Sequence, residues 1–293
     1  MNSRRSFLVQ AGLLSAGILL APSCMINGDK KTKHKLGLQL YSLRDIINSD
    51  VKGTIAKVAQ AGYAEVETYG YSPDNGIFGM DVKAFREILE ANNLTAPSGH
   101  YGFDEYLQGK EDLLENYIQT ATTLGHQYIT VPYLGEELRS DADSYKRLSE
   151  KLNKAGELTK KSNIQLAYHN HDFEFQSFDG VTGYEILLKE TDPSNLKFEI
   201  DLYWAARAKQ DIKAMFASNE GRFVMWHVKD MDKGKPELNT EIGNGSINYK
   251  EIFADAETSG VKHYFVEQEN FTDIDPFVSI QKSAEYVNNN LFS

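Results

Sequence analysis

The sequence predicts an α/β protein whose main part is one (β/α)8 barrel, and three observations predict it. From residue 36 onward, short runs rich in β-branched and aromatic residues alternate with longer runs whose apolar residues recur every three or four positions. Eight such strand-helix units are present. No composition break divides the stretch 36–293, whose size suits a single barrel of this kind. No Gly-x-Gly-x-x-Gly follows the first strand run, which weighs against the runner-up, a doubly wound sheet binding a dinucleotide.

The strand runs are LGLQLYS (36–42), YAEVETY (63–69), LTAPSGH (94–100), QYITVPY (127–133), IQLAYHN (164–170), LKFEID (196–201), RFVMWHVK (222–229) and HYFVEQE (263–269). Helices lie between them. One spans 110–124 with Leu113, Tyr117, Ala121 and Leu124 on a face, and another spans 143–162 with Tyr145, Leu148, Leu152 and Ala155. A last stripe of Phe277, Ile280, Ala284, Val287 and Leu291 closes the chain as a helix.

Ahead of the barrel, Ser3, Arg4, Arg5, Ser6, Phe7 and Leu8 form the core of a twin-arginine export signal, and an uncharged run from Phe7 to Ser23 follows. That run is too short and too broken by Gly and Ser for a membrane span. Cys24, the only cysteine, ends it within Ala-Pro-Ser-Cys, a lipobox-like tetrapeptide. The expectation is a signal over 1–23, lipid attachment at Cys24, and a polar, basic tether over 24–35. The protein is then exported, periplasmic or held at the membrane by its lipid. One cysteine permits no intramolecular disulfide.

The 293 residues, 41% hydrophobic, suffice for a large core, and the net charge of −11 argues against a nucleic-acid partner, which would need clustered Lys and Arg. Self-association into a homo-oligomer stays open.

In a (β/α)8 barrel the active site forms at the C-terminal ends of the strands. Here those ends carry chemistry: Glu65 and Glu67; His100; His169, Asn170 and His171, with Glu174 beyond; Glu199 and Asp201; His227, Lys229 and Asp230; Glu267 and Glu269. Period-two alternation puts His169 with His171, Glu199 with Asp201, and Glu267 with Glu269 on shared faces. An interior this rich in carboxylate and imidazole requires a neutralising cation, and a divalent metal is the simplest. Oxygen and nitrogen ligands without thiolate suit Mn²⁺, Co²⁺, Mg²⁺ or Zn²⁺. The expected ligands of one such ion are Asp201, His227, Glu267 and a strand-5 histidine, His169 ahead of His171. GNGS (243–246) reads as a plain turn in preference to a phosphate loop.

AYHNHDFEF, FEIDLYWAARAKQD, GRFVMWHVKDM, EIGNGSINY and YFVEQE, taken in order, resemble the sugar phosphate isomerase/epimerase family, whose fold is the xylose-isomerase-like barrel. The resemblance covers the chain after residue 35. It implies one divalent metal held by His169, Asp201, His227 and Glu267, and a small sugar as substrate. Two departures stand out: ketose-epimerase members of the family carry Glu at the position of His169, and often His at the position of Trp204. This chain therefore lacks one glutamate of the two-glutamate proton relay that those enzymes use.

The chemistry implied is proton abstraction next to a carbonyl on an unphosphorylated or keto sugar. Glu267 is the expected base, and His100, Glu174 or His171 returns the proton. Lys229 and Glu67 bind substrate oxygens, and Trp204 with Tyr203 supplies a stacking wall. Bland roles compete with several of these assignments: packing for Trp204, an ion pair for Lys229, and a buried pair with Lys or Arg for Glu65. The rival functions are a lyase or hydratase working through the same enolate, an abasic-site endonuclease, which acidity and ligand count disfavour, and a non-catalytic sugar receptor at the cell surface.

Overall fold

The computed structural model describes residues 34–292. The expected signal over 1–23 and the tether over 24–35, apart from His34 and Lys35, lie outside the described residues. Eight parallel strands close a barrel: β1 (Leu36–Gln39), β2 (Glu65–Thr68), β3 (Thr95–His100), β4 (Tyr128–Val131), β5 (Gln165–His169), β6 (Leu196–Asp201), β7 (Phe223–Val228) and β8 (His263–Val266). Each pairs with its sequence neighbours, and β8 returns to β1 through the register Gly37↔Phe265. The predicted barrel is the observed one.

Strand ends are where the sequence pattern overran. The run 36–42 turns at Leu40 into a single 3₁₀ turn, Leu40–Leu43, because the Gln39 side chain accepts the Tyr41 N–H at 2.9 Å and diverts the backbone from the sheet. β8 stops at Val266 for a similar reason. The amides of Gln268 and Glu269 donate to the side chains of Ser42 (3.0 Å) and Asn239 (2.8 Å). Glu267 and Glu269 thus stand on a loop at the barrel mouth.

The helices form where predicted, at Asp112–Leu124, Ala142–Lys160 and Pro276–Asn290. Side-chain caps fix the starts of the last two: Asp141 accepts the Ser144 N–H at 2.7 Å, and Asp275 accepts those of Phe277 and Val278 at 2.9 and 3.2 Å. In Asp112–Leu124 the buried face is Leu114, Tyr117, Ala121 and Leu124, so Leu114 takes the place expected of Leu113. Phe85, Leu89, Leu148 and Leu152 fill the layer between helices and barrel.

Inside the barrel, Ala167, Val224, Met225 and Phe265 form an apolar cluster separate from that layer. Gly37 makes room for it, since a Cβ there would lie 2.4 Å from the Phe265 ring. At the N-terminal rim His263 Nδ1 meets Glu65 at 2.7 Å, with Lys35 at 4.0 Å. Glu65 is therefore paired chiefly with a histidine, and it belongs to the end of the barrel opposite the mouth. Among the described residues no helix is long and apolar enough to cross a membrane.

Candidate active site and metal-ligand cluster

The last residues of β5 and β6, His169 and Asp201, meet His227 of β7 and Glu267 just past β8 at the C-terminal mouth. A cavity of about 630 Å³ opens above them, walled by Tyr41, Tyr69, Tyr71, Tyr133 and Trp204 and reached by His100, His169, His171, Glu267 and Glu269.

Beneath the cavity lies a buried polar floor. Glu67 accepts from Gln39 Nε2 at 2.6 Å, Ser98 Oγ at 2.5 Å and His227 Nε2 at 2.7 Å, and His100 Nε2 stands 3.1 Å away. His100 Nε2 also donates to Glu199 at 2.8 Å. On its other side His227 presents Nδ1 to Glu267 Oε2 at 3.1 Å and to Asp201 Oδ2 at 4.0 Å. Asp201 is a split carboxylate. Oδ1 caps the helix Leu202–Arg207 through the Trp204 N–H at 3.0 Å, while Oδ2 has no hydrogen-bond partner among the described residues.

The charges follow from this packing. Burial pushes the Glu199 carboxyl up to about 7, helped by the charge of Glu67, and burial likewise raises Asp201 to about 6 against the pull of Lys229 and His227. Burial also raises Glu67 and Glu267, but their cationic neighbours outweigh it and hold both below the usual carboxylate range: His100 and His227 for Glu67, Lys229 and His227 for Glu267. Burial depresses His100, but Glu67 and Glu199 overcome it and lift the imidazole to about 9. Burial pushes His169 and His171 down, His171 to about 3, and the positive charges of His227, His100 and Lys229 act in the same direction, although Glu199 Oε2 lies 3.2 Å from His169 Nδ1.

Two groups of donor atoms, each within 4.8 Å of one another, are placed to hold a metal ion: Asp201 with His227 and Glu267, and His100 with His169, Glu199 and His227. The residues fit such an ion. Asp201 Oδ2, Glu199 Oε1 and His169 Nδ1 are buried without hydrogen-bond partners among the described residues, and the donors are carboxylate oxygen and imidazole nitrogen throughout. The expected quartet is divided between the groups: Asp201, His227 and Glu267 converge, whereas His169 falls with His100 and Glu199. Sequence reasoning left both of those out of the metal set, although Glu199 shares a strand face with Asp201.

A family model described as "Xylose isomerase-like TIM barrel" matches residues 55–289. The chain belongs to that family. Among solved structures, a sugar phosphate isomerase/epimerase from Parabacteroides distasonis ATCC 8503 is 29% identical, covering 93% of this chain and 99% of its own with a TM-score of 0.80. A second sugar phosphate isomerase/epimerase from the same organism is 26% identical over 88% of this chain and 99% of its own, with a TM-score of 0.77. An L-ribulose 3-epimerase shares the fold at 13% identity, a TM-score of 0.68 and coverage of 88% and 94%. No curated protein matches the sequence.

Within this xylose isomerase-like barrel several expected roles change. Glu67, expected on substrate, is wholly buried among its four partners and does not line the cavity. Glu174, expected to carry a proton, is likewise enclosed. Its oxygens accept from Tyr168 OH at 2.7 Å and the His171 N–H at 2.8 Å, so it anchors the loop beyond β5. Lys229 is fully buried, its ammonium on Glu267 at 3.3 Å and against Glu269, which satisfies it with carboxylates before any substrate oxygen. Tyr203 turns away and donates to the Pro236 carbonyl at 3.0 Å, so Trp204 alone of that pair faces the cavity. His171 lines the cavity too, stacked on Phe173 at 5.3 Å and outside both donor groups.

The wall tyrosines Tyr41, Tyr69 and Tyr133 were missed, although each stands in or at the end of a strand run. A tyrosine at a strand end reads equally as packing, so nothing in the sequence singles these three out. The Gly-Asn-Gly-Ser segment is a turn, as expected. The Asp230 carboxylate accepts the amides of Gly243 (2.9 Å), Gly245 (3.0 Å) and Ile247 (3.1 Å), so the chain's own anion fills that nest.

The setting of Glu174 gives a pH test. Burial raises its carboxyl to about 7, well above its value in the unfolded chain. Such a group favours the fold at low pH, and that contribution is lost as pH rises through the raised value. The stability of Glu174→Gln relative to wild type is therefore expected to shift in the variant's favour between pH 5 and pH 8, read by urea unfolding. A pH-independent difference would reject the assignment.

Proposed function

We propose that this protein is a divalent-metal-dependent sugar isomerase or epimerase that removes a proton α to a carbonyl on an unphosphorylated or keto sugar. The observation that carries this reading is the buried carboxylate and imidazole cluster, with its partnerless donor atoms, opening onto an aromatic-walled cavity. One metal, from among Mn²⁺, Co²⁺, Mg²⁺ and Zn²⁺, is assigned to Asp201, His227 and Glu267, with His169 the nearest additional imidazole. Bound there, it supplies Lewis acidity toward a carbonyl oxygen and its neighbouring hydroxyl, making the α-proton acidic.

The chain's own residues do the rest. Glu267 is ionised and held through Oε2 by the Lys229 ammonium; Oε1, without a hydrogen bond among the described residues, is the atom that takes the α-proton. His100, protonated between Glu67 and Glu199, lines the same cavity and is the acid that returns a proton. The wall of Tyr41, Tyr69, Tyr71, Tyr133 and Trp204 stacks on the sugar and excludes water. The amide nest at 243–247, which the Asp230 carboxylate fills, offers no seat for a substrate phosphate.

The second reading is a lyase or hydratase on a keto-glycoside. A cavity of about 630 Å³ is within the usual range for drug-sized ligands and so leaves room beside a sugar for an aglycone, and the His100 imidazolium suits protonation of a leaving oxygen as well as carbon. Incubating the metal-loaded chain with unphosphorylated keto-hexoses in D₂O, with fructose 6-phosphate as control, tests the first reading. Metal-dependent deuterium at the α-carbon of the free sugars is expected. Release of an aglycone from a keto-glycoside selects the second reading, and binding with neither event leaves a sugar receptor.

The location proposed is outside the cytoplasm, with lipid on Cys24. The twin-arginine motif and Ala-Pro-Ser-Cys support it. Cys24→Ser is expected to move the protein from the membrane to the soluble fraction of fractionated cells; an unchanged distribution would reject the anchor.

A further inference from the structure

His227 is shared by both donor groups, but it has two ring nitrogens and they face different neighbours. Nδ1 lies 3.1 Å from Glu267 Oε2 and 4.0 Å from Asp201 Oδ2. Nε2 lies 2.7 Å from Glu67 Oε2 and 3.2 Å from Glu199 Oε2. A metal held with Asp201 and Glu267 uses Nδ1, whereas one held with His100, His169 and Glu199 needs Nε2. One imidazole nitrogen cannot donate a hydrogen to a carboxylate and a lone pair to a metal at once.

Glu67 decides between them. Its Oε1 accepts from Ser98 Oγ and its Oε2 from Gln39 Nε2, so both oxygens are anchored before His227 is considered. Ser98 is in turn 2.9 Å from Thr130 Oγ1, and all four residues are buried. A carboxylate fixed on both sides cannot swing aside. It holds the hydrogen of His227 on Nε2 and leaves Nδ1 as the metal-facing nitrogen.

We infer that Glu67 is a positioning residue that assigns the metal to the Asp201–Glu267 side of His227 and keeps it out of the His100–His169–Glu199 group. The inference rests on the proposed metal reading. Glu67 touches neither ion nor sugar; it acts through the orientation of one ring.

The test uses Co²⁺ as the probe, with calorimetric titration for affinity and visible absorption for the ligand field. Wild type is expected to give a spectrum of mainly oxygen ligation. Glu67→Gln removes the charge that holds the Nε2 hydrogen. It is expected to weaken Co²⁺ binding about 10- to 100-fold and to shift the spectrum as imidazole ligands of the second group compete. The Gln39→Leu, Ser98→Ala double variant keeps Glu67 but unties it, and is expected to shift both readouts the same way, less far. Should Glu67→Gln fail to fold, that double variant carries the test. Equal affinity and spectrum in the variants would overturn the inference, and so would weaker binding with an unchanged spectrum, which is what a merely structural Glu67 predicts. A wild type that binds no Co²⁺ would overturn the metal reading and this inference together.

Discussion

Asp201→Asn is expected to abolish the proposed metal binding and to lower metal-dependent deuterium exchange about 100- to 1,000-fold, while leaving the fold intact. The reasoning is atomic. Oδ1 of Asp201 caps the helix Leu202–Arg207 through the Trp204 amide at 3.0 Å, and an Asn side-chain oxygen keeps that cap. Oδ2 has no hydrogen-bond partner among the described residues and faces His227 and Glu267, so the charge lost in the variant is the one available to an ion. Asp201→Ala loses the cap as well, at a further cost of about 1 kcal/mol in stability. Elemental analysis together with deuterium exchange checks the pair. Metal retained at wild-type stoichiometry in Asp201→Asn would remove Asp201 from the ligand set and unseat the proposed site.

The largest effect on stability is expected from Lys229→Met. The ammonium is fully buried, at 3.3 Å from Glu267 and 4.0 Å from Asp201, and touches Glu269. Those carboxylates raise it above its ordinary range although burial opposes them, so it is charged in the folded protein. Methionine fills a similar volume but leaves the acids without their cation. Removing one partner of a buried ionic cluster costs about 3–5 kcal/mol. A divalent ion supplies the missing charge, and a ligand that binds only the folded state stabilises it by mass action. Mn²⁺ is therefore expected to restore more stability to Lys229→Met than to wild type. Urea denaturation with and without Mn²⁺ measures both effects, and a variant as stable as wild type in EDTA would sink the account.

Both expectations depend on contacts among residues far apart in the chain, and that limits what sequence reading reached. His169, Asp201, His227 and Glu267 were legible because a barrel puts strand ends together and each stands at or next to one. Their grouping was not, because alternation says which face a side chain takes and nothing about which nitrogen of His227 points where. Glu67 was read as meeting substrate on the same grounds that placed the others. It lies one layer lower, where Gln39 and Ser98 from the flanking strands close over it. Glu174 misled for a different reason: local order in the loop beyond β5 binds both its oxygens, and a strand-end motif does not reveal how the following loop folds back.

The sequence by itself determined the eight strand-helix units, their order around the barrel and the end at which ionisable side chains collect. Those features follow from periodicity and from the rule that parallel strands need crossovers, both of which are local or topological. Only the tertiary structure decided which carboxylates are anchored and which keep an unpartnered oxygen, that Lys229 faces acids and not the cavity, and that tyrosines from separate loops form one wall. Those outcomes depend on distances of a few ångströms between segments that the sequence holds far apart, and hydrogen bonds and Coulomb terms change sharply over that range.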